Sequence, residues 1–433
     1  LSQSAAISPA GRHTLLVLDP GHFHAALTLR REHERLNEDV YVYARPGPDV
    51  DAFVRLVESF NARPGDGTRW RLHVYRGPDP LERLLQERRG EVAVIAGRND
   101  VKLEQIARLH AAGINVLGDK PWLIAPAQLP LVRQVAMSRP LAMDIMTERH
   151  EVANRLQRAL AAREDVFGGF RSDEGRPAIS IRSTHHLYKT VNGRALVRPD
   201  WYFDVKAQGE GITDVTTHLV DLAQWFVGGA PLNAERDVKL TGARQWPTMI
   251  PRAMYARITG QADFPDALSG DVVGDTLAYP CNAVIDFQVR GVPVHVESIW
   301  DLEIPKGGGD LHWCAVHGGQ ADLVVEQSAT TRFVPELFVR PHEPGPRYAT
   351  ALGVALAALQ PAFPGLAVDE ADGGAFHVRI PQTLRTTHEQ HFAAVLDQFL
   401  ALVSGAPQPP TLIPDLIAKY TLLAQAAGRS HAQ

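Results

Sequence analysis

Two stretches of this chain carry side chains suited to acid–base work on an oxygen. In "NVLGDKPW", residues 115–122, an apolar run gives way to an acid, Lys120 and a proline. Such a lysine would stand at the C-terminal end of a strand, the edge of an open parallel sheet where ligands sit. In "GEGITDVTTHLVDLAQW", Asp214, His218 and Asp221 recur at i, i+4 and i+7, which predicts all three on one helix face. A solvated polar stripe is the bland reading. The apolar residues around them predict instead a mostly buried helix, where His and Asp need partners or a task.

A third stretch, "VLDPGHFHAAL" at residues 17–27, has the outline of a nucleotide-binding strand–turn–helix without its glycine fingerprint. Asp19 takes the first glycine position and His24 the third; only Gly21 remains, at the place where a missing Cβ lets backbone approach a pyrophosphate. The helix expected after it would offer free N–H groups to phosphates.

The elements that must position these residues follow from the apolar pattern. Residues 14–149 alternate short apolar strands with helical stretches ("TLLVLD", "VYVYA", "EVAVIAG", "NVLGDKP" and "PLAMDIMTE" as strands). That pattern predicts an α/β Rossmann domain, a doubly wound parallel sheet covered on both faces. From 150 to 433 strand-like runs follow one another with few helices between, which predicts an α+β domain built on a large, mostly antiparallel open sheet. Two helices, at "HEQHFAAVLDQFLALVSG" and "LIPDLIAKYTLLAQAAG", close the chain, and residues 340–380 read as surface excursions. Residues 1–13 read as a small, polar N-terminal tail.

Composition excludes several classes. The 433 residues are 45% hydrophobic and 21% charged, a globular balance. A net charge of −5 gives no reason to expect nucleic acid, and no apolar run predicts a membrane span. With only Cys281 and Cys314, no disulfide framework is expected. The 18 histidines include the close pairs His22/His24, His185/His186 and His388/His391, none at a zinc-site spacing, so no metal is expected. The chain begins at Leu1 rather than methionine. Localisation is left open: cytoplasmic by default, periplasmic if a signal peptide preceded Leu1.

Taken together, these residues resemble the Gfo/Idh/MocA family, the relatives of glucose-fructose oxidoreductase and inositol dehydrogenase. Asp119-Lys120-Pro121 is similar to that family's glutamate-lysine-proline motif, and Asp214 through His218, after Gly209 and Gly211, to its D-x-x-x-H element. "DPGHFHAA", "DIMTER" and "HEQHFAAV" look like one oxidoreductase branch of the family, in which D-P-G-H-F-H is the usual loop. The resemblance implies NAD or NADP as cofactor, held by Gly21, His22, Phe23, His24, Arg45, Ala96, Asn99, Asp119 and Lys120. It implies a carbohydrate substrate, met by His185, His186, Lys189, Trp201, Asp214 and His218, and a homo-oligomer, dimer or tetramer. Lys120, His218 and Asp214 are the catalytic set it implies.

Departures from the family pattern bear on the cofactor. Where an acid often ends the second strand to accept from the ribose 2′-OH, this chain has Ala44 and Arg45; NAD preference is unsupported, and Arg45 suits a 2′-phosphate. Lys102 stands where histidine often follows the third strand.

The implied reaction is dehydrogenation of a secondary alcohol. Histidine titrates near neutrality unaided, whereas lysine ordinarily titrates near ~10.4. Proton transfer is therefore expected at His218, oriented or charged by Asp214, with Lys120 stabilising the developing alkoxide; the sequence leaves the two roles exchangeable. The rival expectation is a glycoside hydrolase or lyase that oxidises the sugar transiently with tightly bound NAD, and a more remote one is a non-catalytic sugar sensor.

Overall fold

The computed structural model describes residues 11–173, 175–191 and 194–430. The chain divides into two compact units. The first comprises the residues up to Thr147 with Pro199–Gly209 and Thr387–Ala424; the second comprises Glu148–Arg198, Glu210–Thr386 and the residues from Gln425.

The first unit is built on six parallel strands: β1 (His13–Leu18), β2 (Leu36–Ala44), β3 (Arg71–Arg76), β4 (Val92–Ile95), β5 (Asn115–Gly118) and β6 (Ala142–Asp144). Their order, β3-β2-β1-β4-β5-β6, is that of the doubly wound dinucleotide-binding sheet, which reverses between β1 and β4. Leu15 to Leu18 and Val92 to Ile95 are fully buried, as continuous apolar strands covered on both faces must be. Five helices alternate with the strands: α1 (His24–Thr28), α2 (Pro48–Asn61), α3 (Pro80–Glu87), α4 (Asn99–Ala111) and α5 (Leu129–Met137).

Two features of this sheet differ from the sequence expectation. The pair β3 and α3 is additional. Its strand, "RLHVYR", is a half-exposed sheet edge and so lacks an apolar run. The helix after Gly21 is also only five residues long, shorter than the helix expected to offer its N-terminus to phosphates.

The sequence division at 149/150 lies close to the observed change at Thr147/Glu148. Two later segments return to the first unit for a physical reason. Phe392, Val395, Leu396, Phe399 and Leu400, on the helix His388–Val403, complete the same core as Leu15, Val17 and Ala25 to Leu27.

The second unit carries a ten-stranded sheet. Every pairing in it is antiparallel except that of Val292–Glu303 with Ile179–Tyr188. The helix Thr216–Val227, buried along nearly all its length, packs on the strands Ile179–Tyr188, Thr276–Val289 and Val292–Glu303. Residues 340–380 are more regular than expected: a helix, Pro346–Leu359, and the hairpin Ala367–Glu370 with Phe376–Arg379, which extends the sheet.

Candidate active-site residues

The turn after β1 lies at the reversal of strand order in the first unit. Asp19 has a left-handed backbone, φ 44°, and the His22 N–H donates to the Ala96 carbonyl at 2.7 Å, tying the turn to the end of β4. Two glycines permit this. A Cβ on Gly97 would lie 2.4 Å from the Asp19 carbonyl oxygen, and one on Gly21 would lie 3.1 Å from the Trp201 ring and 3.2 Å from the Asp49 carboxylate. The Trp201 indole N–H donates to that carboxylate at 2.9 Å. Burial raises Asp49, while the indole hydrogen bond pulls the other way. Asp19 is likewise raised by burial, against hydrogen bonds from Gln105 and from the backbone of Arg45. The Arg45 residue itself is exposed just past β2.

At the end of β5, Asp119 is 3% and Lys120 8% exposed. Asp119 accepts from the Lys120 backbone N–H at 2.9 Å. His24 Nδ1 lies 3.1 and 3.0 Å from its two oxygens, and His22 Nδ1 lies 3.3 Å from Oδ2. Burial opposes charge on Asp119, but His24 and His22 outweigh it and hold the carboxyl well below the usual carboxylate range. Burial pushes His24 well down in turn, against the pull of Asp119.

The segment after Lys120 is clamped from below. Trp122 is fully buried and stacks on Tyr420, whose hydroxyl accepts from the Trp122 N–H and donates to Asp144. Lys419 pairs with Asp144 at 2.7 Å. Buried Lys102 donates to Asn99 and lies 3.4 and 3.3 Å from the carbonyl oxygens of Lys120 and Pro121. Asn99 is 2% exposed and donates to the Gln208 carbonyl at 2.7 Å.

In the second unit, Asp214 lies in the turn that precedes the helix Thr216–Val227, rather than on the helix face with His218 and Asp221. Gly211 makes that turn possible, because a Cβ there would meet the Cys281 carbonyl group at 2.5 Å. Asp214, His218 and Asp221 are all buried. Asp221 is gripped by Arg149 through two bonds, Nε–Oδ2 at 2.6 Å and Nη2–Oδ1 at 2.8 Å.

On the strand Ile179–Tyr188, His185 and His186 both turn to one acid: their Nδ1 atoms lie 3.5 and 2.9 Å from Asp310. Strand alternation predicts opposite faces for neighbours; Asp310 lies beyond the end of the next strand, where it meets both rings. Lys189 completes the group with an ion pair to Asp310. Burial works against the Asp310 carboxylate, but Lys189, His185 and His186 hold it far below its ordinary value. His312 Nδ1 shares a hydrogen bond with Ser183 at 2.9 Å. The Nε2 atoms of His185 and His312 are buried with no hydrogen-bond partner among the described residues, and the charge of Asp214 acts on His185. Trp201 belongs to the first unit, where it stands with Gly21 and Asp49.

Residues 156–431 match the family described as "Putative oxidoreductase C terminal domain". The chain is also similar to the crystal structure of an oxidoreductase from Parabacteroides merdae ATCC 43184, at 39% identity over 98% of both chains with a TM-score of 0.92. The chain belongs to the Gfo/Idh/MocA-like oxidoreductases. Two more distant structures share the fold of this oxidoreductase. GenD2 from gentamicin A biosynthesis, in complex with NAD, is 15% identical over 100% of this chain and 97% of its own, TM-score 0.59. Levoglucosan dehydrogenase, in complex with NADH, is 12% identical over 96% and 97%, TM-score 0.60. No curated protein matches the chain.

Several groups in this oxidoreductase escaped sequence reasoning. Asp310 sits after three glycines in "GGGD", a loop signal with no chemistry in it. Arg149 and Asp49 gain their roles only through partners distant in sequence. Lys102 was legible only as a departure from the family pattern.

Proposed function

We propose that the protein is an NAD(P)-dependent oxidoreductase that transfers hydride between a nicotinamide cofactor and a secondary alcohol of a sugar, glycoside or cyclitol. The observation that carries this reading is buried Lys120 at the carboxyl end of β5, in a sheet whose strand order reverses between β1 and β4. The turn fits a dinucleotide by its place: Gly21 and Gly97 let the chain after β1 pack closely on Trp201, Asp49 and the end of β4, at the crevice where such sheets bind nucleotides.

When bound, the nicotinamide supplies the hydride acceptor. Lys120 would hydrogen-bond the substrate oxygen and stabilise its negative charge. His218 would take the hydroxyl proton on an imidazole nitrogen, with Asp214 as the acid that orients or charges it. Asp119 would fix the Lys120 backbone through the N–H it accepts. His185 and His312 each hold a buried ring nitrogen that lacks a partner among the described residues; hydroxyl groups of a carbohydrate would satisfy both. His186 and Lys189, both paired to Asp310, would brace that wall.

The bulky His22-Phe23-His24 turn favours a second reading, in which the cofactor is retained and the hydride returned, so that a glycosidic bond is cleaved without net oxidation. The open sheet of the second unit, with exposed Leu311 and Trp313, is the surface we assign to a homo-oligomer.

Titration of cofactor-stripped protein with NAD and NADP tests the main reading. Binding of at least one is expected. Arg45→Ala should weaken NADP and leave NAD unchanged. No binding of either at saturating concentration removes the enzymatic reading.

A further inference from the structure

We propose that His22, His24 and Asp119 form a binding site for a divalent transition-metal ion of the zinc class. The three residues each place one ligand atom within 4.8 Å of the others. Two come from the turn after β1 and the third from the end of β5, so the site is made by the fold and no motif spacing announces it. The turn brings the two imidazoles edge to face, with ring centroids 3.9 Å apart. Phe392 stacks behind His24 at 4.3 Å and leaves its Nδ1 facing Asp119. The spacing suits an ion. Bonds of about 2.0–2.2 Å in a tetrahedral site set neighbouring ligand atoms roughly 3.3–3.6 Å apart; the His22 nitrogen already lies 3.3 Å from the carboxylate, and the His24 nitrogen, at 3.0 Å, has to open by a few tenths of an ångström.

The donor set narrows the metal. Two imidazole nitrogens and one carboxylate suit zinc and its first-row neighbours, whereas calcium and magnesium take oxygen ligands. Three protein ligands leave a fourth position for water, the pattern of an open site rather than a closed structural one. The carboxylate is also held in place: the Lys120 N–H donates to Asp119 Oδ1, a hydrogen bond that fixes the orientation of a metal-binding oxygen. The charge of Lys120 reaches His24, which makes the expected affinity weaker than that of a closed structural zinc site. The proposal does not depend on hydride chemistry, because its three ligands are held together by the fold of the first unit.

The test uses the full chain, dialysed against a chelator and titrated with zinc in competition with a chromophoric chelator. Cobalt in place of zinc gives a visible ligand-field spectrum. One ion per chain is expected. His24→Ala should weaken binding at least about 100-fold, the upper end of what loss of an outer partner costs. Asp119→Asn, which keeps the side-chain size, should do the same with the circular dichroism unchanged, so that a folding defect in the first variant does not decide the matter. His295→Ala, at the Asp286 pair of the second unit, should change nothing. Failure of the chelator-treated protein to take up zinc, or equal binding by Asp119→Asn and the wild type, would overturn the proposal and leave the oxidoreductase reading untouched, since only metal uptake is read.

Discussion

Arg149 holds Asp221 at two points, 2.6 and 2.8 Å, with the carboxylate side chain only 5% exposed. The bond anchors the helix that carries His218, one turn from that histidine. Breaking a buried pair from one side strands a charge and costs about 3–5 kcal/mol, whereas replacing both partners by apolar groups is often neutral. Arg149→Met should therefore lower the unfolding free energy by roughly that amount, and Arg149→Met with Asp221→Leu should recover most of it. Urea denaturation of the three proteins measures both values. Equal stability of Arg149→Met and wild type would show that the pair does not hold the helix.

The catalytic assignment makes a sharper demand. Lys120→Ala and His218→Ala should each leave dinucleotide affinity nearly unchanged while turnover falls by about 10²–10⁴-fold, the range for general acid–base groups. Equal loss in kcat and kcat/KM marks an interaction made in the transition state. Asp214→Asn should be milder if Asp214 only orients His218. Unchanged rates in both alanine variants, on a substrate the wild type converts, would show that the reaction uses other groups.

The fold and the turn motifs were legible because their signals are local. Continuous apolar strands such as Leu15 to Leu18 identify a covered parallel sheet, and the Lys-Pro pair after β5 marks its own position. What stayed hidden depends on distant partners. The strand Arg71–Arg76 is an edge, half exposed, and its six residues, arginine at both ends, hold no apolar run. Asp214 was assigned to a helix face by spacing, but the close approach of Gly211 to Cys281 delays the helix until Thr216. His22 and His24 were visible as a pair, yet the third member, Asp119, arrives from 95 residues beyond His24. Asp310 likewise gathers His185, His186 and Lys189 across more than a hundred residues.

His312 carries a dependence on pH. Burial, reinforced by the charge of His185, takes its imidazole down to about 4, against about 6.5 in an unfolded chain. Between those values the unfolded chain binds a proton that the folded one does not, so stability falls as pH drops from about 6.5 to about 4 and this contribution levels off below. His185 is shifted the same way by burial and adds to the slope. His312→Gln should flatten the slope without abolishing it. Unfolding free energies at about pH 5 and about pH 7 for both proteins decide this, and an unchanged slope would mean that His312 is not buried as a neutral ring.

The two catalytic readings differ in where the hydride ends. An exchanging cofactor leaves as its reduced form, so each product molecule is matched by one of free NADH or NADPH. A retained cofactor returns the hydride, and a glycoside is cleaved with no net change in nicotinamide absorbance. The turn after β1 favours retention, because His22, Phe23 and His24 put three rings in mutual contact, with centroids 3.9 to 4.6 Å apart, and His24 stands where the fingerprint has its third glycine. We therefore expect slow exchange and product in excess of free reduced cofactor when sugars and glycosides are incubated with the enzyme. Replacing His22 and Phe23 by Gly and Ala should speed exchange and shift the balance towards free NADH. Product matched one to one by soluble reduced cofactor over many turnovers of the wild type would identify an ordinary dehydrogenase and remove the retained-cofactor reading.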